Sequence, residues 1–173
     1  MAGAYEFLIM KNSRKSVDFS RLFIYYNGRL IDGLQYYNMQ DQGTQINSAV
    51  TGLAMYGCCG ENLLPFQPAY INQAPSQQCY AEAQNFRIES TISIDTNLDE
   101  MKACLAEGYP FVFGLQLFQS FMDAGSNYGR VQMPQYYEQQ AAQHGGHEKR
   151  RFFFYFVFSL THLLLQSILL KLV

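Results

Sequence analysis

The order of its segments predicts an α+β domain: helix-like periodicities come first, strand-like runs follow, and no regular alternation marks a series of βαβ units. Three stretches carry this reading. Ile46, Val50, Leu53 and Ala54 recur at helical spacing. Phe86, Ile88, Ile92 and Ile94 fit the two-residue alternation of a strand with one slip, and Phe111-Val112-Phe113-Gly114-Leu115 is a short apolar run of the kind that forms a buried strand. At 173 residues the chain suits one domain and is long enough to bury a core.

Taken in order, Ala2, Tyr5, Leu8 and Ile9 place a helix over about 2–10, broken at Asn12-Ser13. No capping residue precedes it, so it is expected to be the later part of a longer helix. Asp18 or Ser20 caps a second helix through Leu22, Phe23, Tyr25 and Tyr26, for which Asn27-Gly28 is the expected stop. A third is expected from about Thr44 to Tyr56, with Gly57 past its end. Pro65, Pro68 and Pro75 keep the next stretch irregular up to the strand at Phe86 to Ile94. Asn97 and Glu100 then have capping-box spacing ahead of Leu98, Met101 and Leu105, and Gly108 and Pro110 end that helix. Gly114 inside the following apolar run signals close approach by a ligand or another backbone. Residues 123–143, rich in Gly, Asn, Gln and Tyr, are expected to form a long loop leading into His144-Gly145-Gly146-His147.

Composition excludes some functions. Only 15% of residues are charged, the net charge is -2, and no basic stretch interleaved with aromatics is present, so no nucleic-acid partner is expected. Met1 opens onto mixed residues rather than a secretory signal, which leaves the compartment undetermined. Of the four cysteines, the neighbours Cys58 and Cys59 cannot readily bridge each other and Cys104 lies on the apolar side of its helix, so buried free thiols are expected. After His147 the composition breaks: Glu148-Lys149-Arg150-Arg151 precedes 22 residues dominated by Phe and Leu. As a helix that tail would span about 33 Å, enough for a bilayer core, although His162, Gln166 and Lys171 interrupt it. Two readings stand: a membrane segment with its basic flank on the cytoplasmic side, or an end foreign to the fold.

An ordered set of runs resembles the papain-like cysteine peptidase family, in a bacterial-style branch. These are Ala2-Gly3-Ala4-Tyr5-Glu6-Phe7, the stretch Asp18 to Asn27, Gln42-Gly43-Thr44-Gln45-Ile46, Tyr56-Gly57-Cys58-Cys59-Gly60-Glu61 with Leu64-Pro65-Phe66, Cys79-Tyr80, and Leu98 to Leu105. Gly108 to Gly114, Ser120-Phe121 and Gly145-Gly146-His147 complete it. The resemblance implies a partial papain-like domain over residues 1–147, its helical lobe largely present and its β-rich lobe truncated, followed by the apolar C-terminal tail at 148–173. It implies His147 as the catalytic base, and Gln42, Gly43, Thr44, Gly114 and Gly146 as residues that hold an extended peptide. Peptide or protein substrates are implied and no cofactor is. The family's nucleophilic Cys aligns about five residues before Met1, its oxyanion-hole Gln lies further upstream, and no Asn-Ser-Trp-Gly run follows His147.

A cysteine peptidase needs a thiolate, generated by the His and stabilised at a helix N-terminus. His147 without that sulfur is a base with nothing to deprotonate, because the members of such a constellation act as a unit. His144 and His147 have metal-pair spacing but no partner pair at zinc-finger spacing, so no metal site is expected. The chain is therefore read as a papain-like homologue that does not hydrolyse peptides unaided. The alternative is a non-catalytic peptide-binding protein attached to a membrane through residues 152–173.

Overall fold

In the computed structural model, described over residues 1–95, 97–114, 118–143 and 169–172, helices dominate the first half and short strands follow. The chain forms two compact units, Met1–Val112 with Ile168–Val173, and Phe113–Ser167.

The first unit opens with α1 (Ala2–Ser13), which buries Ala2, Ala4, Tyr5 and Leu8 on one side and has no side-chain cap at Met1. Helix α2 (Arg21–Ile31) settles the choice of cap. Ser20 Oγ accepts from the Phe23 amide at 3.1 Å and donates to the Leu64 carbonyl at 2.7 Å, whereas Asp18 pairs with Arg21 at 3.1 Å. The expected stop at Asn27-Gly28 does not occur, and the reason is packing. Asn27 Nδ2 donates to the Phe23 carbonyl one turn back, and its Oδ1 accepts from Tyr80 Oη at 2.9 Å. Gly28 faces α3 (Ile46–Tyr56) so closely that a Cβ there would lie 2.7 Å from Thr44 Oγ1 and 3.2 Å from Ala49 Cα. Both residues serve contacts between elements, so neither ends the helix.

Gly57 does end α3, with φ 76° and its amide bonded to the Leu53 carbonyl. The irregular stretch after it contains a 3₁₀ turn at Pro68–Tyr70 and a short helix, α4 (Gln77–Ala83), that periodicity did not reveal. Ser76 caps α4 by accepting from the Cys79 amide at 3.3 Å. Strand β1 is confined to Thr91–Ile94. Helix α5 (Leu98–Ala106) is capped as expected by Asn97, which accepts from the Asp99 amide at 2.8 Å, while Glu100 reaches the Asp95 amide rather than closing a reciprocal box. Met101 and Cys104 are its buried residues, and Leu105 is exposed.

Strand β2 is only Phe111–Val112. The last four described residues, Leu169–Leu172, form β3 between β1 and β2, antiparallel to both, with Ile94 opposite Leu169 and Val112 opposite Leu170. Residues 152–168 of the tail lie outside the described residues, and no helix among the described residues is long and apolar enough to cross a membrane.

Aromatic packing holds this unit together. Phe19 and Phe23, at 1% and 0% exposure, sit at its centre. Phe19 stacks on Tyr5 of α1 with ring centroids 4.8 Å apart and meets Phe86 edge-on at 5.2 Å, and Phe23 meets Tyr80 of α4 at 5.1 Å. These ring pairs add to the free energy of burying the rings themselves.

In the second unit, a turn of helix α6 (Gln119–Met122) precedes the segment expected to be a long loop, and that segment contains a 3₁₀ turn at Asp123–Ser126 and α7 (Tyr136–Gln143). One carboxylate explains their order. Glu138 accepts from the Ser120 amide at 2.8 Å and from the Gln135 amide at 2.6 Å, so it satisfies donors at the starts of both helices.

Candidate functional site

The glycine-containing segment 42–44 is built by one face of α2. Tyr25, Arg29 and Asp32 follow at i, i+4 and i+7, which puts them in a row along the helix. Tyr25 Oη donates to Asp41 at 2.6 Å and accepts from the Gly43 amide at 2.8 Å. Burial raises the Tyr25 phenol and the bond to Asp41 raises it further, so it stays a neutral donor. Asp32 accepts from Thr44 Oγ1 at 2.6 Å, from the Gln45 amide at 3.2 Å and from Ser48 Oγ at 2.5 Å, tying the segment to the first turn of α3.

Arg29 sits between these two at 0% exposure. Its guanidinium donates to the carbonyls of Gln40 (2.6 Å) and Ile71, and to Asn72 Oδ1 (2.7 Å), and lies 4.0 Å from the Tyr25 ring centroid. Among the described residues no carboxylate is within ion-pair distance of it. Burial lowers its pKa, with the neighbouring Tyr25 and Asp41 opposing. A buried cation of this kind is retained where hydrogen bonds replace its water, and here three of those bonds join the loop before Gly43 to the loop after the 3₁₀ turn.

What the row presents is a short exposed ledge. Gln42 and Gly43 are exposed and Thr44 half-buried. Gly43 has φ 84° and open space where a Cβ would project, so the backbone can be approached closely by another chain. Gly114, half-buried, belongs to the second unit. Gly146 and His147 lie outside the described residues. The structure thus brings Gln42, Gly43 and Thr44 into one loop. Sequence reasoning missed the supports Tyr25, Arg29 and Asp32, although their helical spacing beside the buried Phe23 and Tyr26 was a usable signal.

All four cysteines are buried free thiols, as expected. Burial pushes Cys58 well above an ordinary thiol, and the neighbouring Cys59 pushes it further; Cys59 is raised likewise, by burial first and then by Cys79. Neither forms a thiolate at neutral pH. Cys104 packs under α5 with its Sγ 3.5 Å from the Tyr109 carbonyl. At the head of α1 stands Met1, whose amino group loses water on burial and is lowered to about 5. No cluster of three or more metal-ligating side chains occurs among the described residues.

No family model matches the chain. It is 34% identical over 149 residues to an uncharacterized peptidase C1-like protein of Acanthamoeba polyphaga mimivirus, covering 80% of this chain and 47% of that one. Its structure is similar to that of xylellain, a cysteine protease from Xylella fastidiosa, with a TM-score of 0.66 and 34% identity over 78% of this chain and 55% of the other. The chain is similar in sequence and fold to papain-like cysteine peptidases and spans about half the length of these relatives.

Proposed function

We propose that this chain is a papain-like peptidase homologue that engages extended peptides and, as the 173-residue product, does not hydrolyse them unaided. The reading is supported most by the state of its sulfur. A family nucleophile must be an exposed thiolate at a helix start, whereas Cys58, Cys59, Cys79 and Cys104 are each at most 5% exposed and none belongs to α1. In this reading Gln42, Gly43 and Thr44 contribute a ledge along which a peptide backbone lies, and the family resemblance assigns Gly114 and Gly146 to peptide binding and His147 to the general base. The helical part of the family fold is largely represented and its β-rich part only in small measure.

The test uses an unblocked peptide substrate with the parent chain and with His147→Ala. Saturable binding without turnover, equal in both, is the expected outcome. Turnover by the parent that His147→Ala abolishes would show that some group in this chain acts as a nucleophile, and would overturn the proposal.

A further inference from the structure

Outside the ledge, the most ordered chemistry-bearing cluster lies where α4 meets the extended segment after α3. Residues 58–61 are pinned from three sides. The Cys58 amide donates to the Phe86 carbonyl at 3.0 Å, the Cys59 carbonyl accepts from the Ser20 amide at 2.9 Å, and the Glu61 amide donates to the Asp18 carbonyl at 2.8 Å, around an antiparallel bridge between Phe19 and Gly60. Consecutive side chains of an extended segment point to opposite sides. Cys58 accordingly turns toward the start of α2, with its Sγ 3.5 Å from the Ser20 carbonyl, and Cys59 turns toward α4.

On α4, Cys79 and Glu82 are three residues apart and share a face. Glu82 Oε1 accepts from the Gly60 amide at 2.9 Å, which clamps that face against the segment. Cys79 is aimed by Ser76, whose Oγ donates to its Sγ at 3.3 Å, and its Sγ lies 3.9 Å from the Leu63 carbonyl. Cys59 and Cys79 thus face each other where α4 is clamped to the segment, at 0% and 1% exposure, and Cys79 is near enough to raise the Cys59 thiol beyond what burial does. We infer that Cys59 and Cys79 are a disulfide-forming pair, closed by thiol–disulfide exchange with a small-molecule disulfide of the oxidised-glutathione class.

The exchange balances in two steps. The Cys79 sulfur, deprotonated, attacks one sulfur of the reagent to give a mixed disulfide and release the first reduced thiol. The Cys59 sulfur then attacks Cys79 Sγ, forming the internal S–S bond and expelling the second. Two protein thiols are oxidised, one reagent disulfide is reduced to two thiols, and both protein protons leave with them. Because Cys59 and Cys79 are turned toward one junction, local opening can bring their sulfurs together, and the same pinning that directs Cys58 to the other side keeps the wrong partner away.

The test keeps the full chain folded, at a urea concentration below its unfolding midpoint so that it opens locally, with oxidised glutathione present. Free thiols are then alkylated, and the products are mapped by mass spectrometry without reduction. The expected product has lost two hydrogens and carries a cross-link between 59 and 79. Its melting temperature should exceed that of the reduced chain by roughly 5–10 °C, from closing a loop of about 20 residues. Cys58→Ala should keep the cross-link, and Cys79→Ala should leave three alkylated cysteines. Four alkylated cysteines in the oxidised parent, a cross-link through Cys58 or Cys104, or glutathione left as a stable adduct would each overturn the inference.

Discussion

Replacing Arg29 by Met tests how the ledge is held. Met matches much of the stem's volume but removes every donor. The carbonyls of Gln40 and Ile71 and the amide oxygen of Asn72 are then left facing an apolar side chain, and the stacking on Tyr25 at 4.0 Å is lost. Each stranded acceptor costs about 1–3 kcal/mol, a total of roughly 3–9. Against this stands the relief of no longer desolvating a guanidinium that has no carboxylate within ion-pair distance, on the order of several kcal/mol. The net expected loss is about 3 kcal/mol. With a denaturant dependence of about 2 kcal/mol per molar urea, the midpoint should fall by about 1.5 M. Amide exchange at Gly43 should rise along with it, because its acceptor, Tyr25 Oη, loses the guanidinium packed against its ring. A variant within about 0.5 M of the parent midpoint and unchanged at Gly43 would refute the idea that Arg29 joins these two loops.

Among the described glycines, Gly57→Ala should be the most damaging single methyl. Its Cβ would stand 1.9 Å from the Ala83 carbonyl at a φ of 76°, so a loss of about 4 kcal/mol or failure to fold is expected from urea titration or soluble yield. Glu138→Ala removes acceptors from the Ser120 and Gln135 amides and should cost the second unit about 2 kcal/mol, read as faster hydrogen exchange there with the first unit unchanged. The buried Met1 amine supplies a pH dependence. Its folded pKa of about 5 lies below its ordinary 8.0, so protonation opposes folding. The penalty is absent above pH 8, grows as pH falls toward 5, and levels off below that at about 4 kcal/mol. An N-acetylated chain cannot gain this charge, so it should lose correspondingly less stability between pH 8 and pH 5 than the unmodified chain; equal losses would contradict the assignment.

Much of the first unit was legible because its signals are local. The Asn97 cap, the Gly57 terminator and the apolar faces of α1 and α3 each need only a few neighbouring residues to be read, whereas the choice of Ser20 over Asp18 as cap of α2 depends on contacts with Leu64 and Arg21. Asn27-Gly28 misled because the pair resembles a helix stop, while its role depends on Tyr80 and on Ala49, both far along the chain. Helix α4 was hidden for the opposite reason: at seven residues it is too short to show a period, and tertiary contacts of Cys79 and Glu82 hold it in place. In the second unit, Gln-rich α7 has no apolar rhythm, and the order there depends on one glutamate bonding across 18 residues. The ledge residues Gln42, Gly43 and Thr44 were found through family resemblance. Tyr25, Arg29 and Asp32 beneath them share a helical spacing that the sequence displays, but the partners of Arg29 at Gln40, Ile71 and Asn72 lie too far along the chain for that spacing to reveal.

All four cysteines lie buried, none placed as an exposed, activated sulfur at the head of α1. The most direct measurement treats the folded protein at neutral pH with a small thiol-alkylating reagent, follows adduct formation by intact mass, and assays peptide turnover in the same sample before and after. Slow labelling limited by opening of the fold, with no turnover at either point, is the predicted result. Rapid labelling of one cysteine that extinguishes a measurable peptidase activity would contradict it.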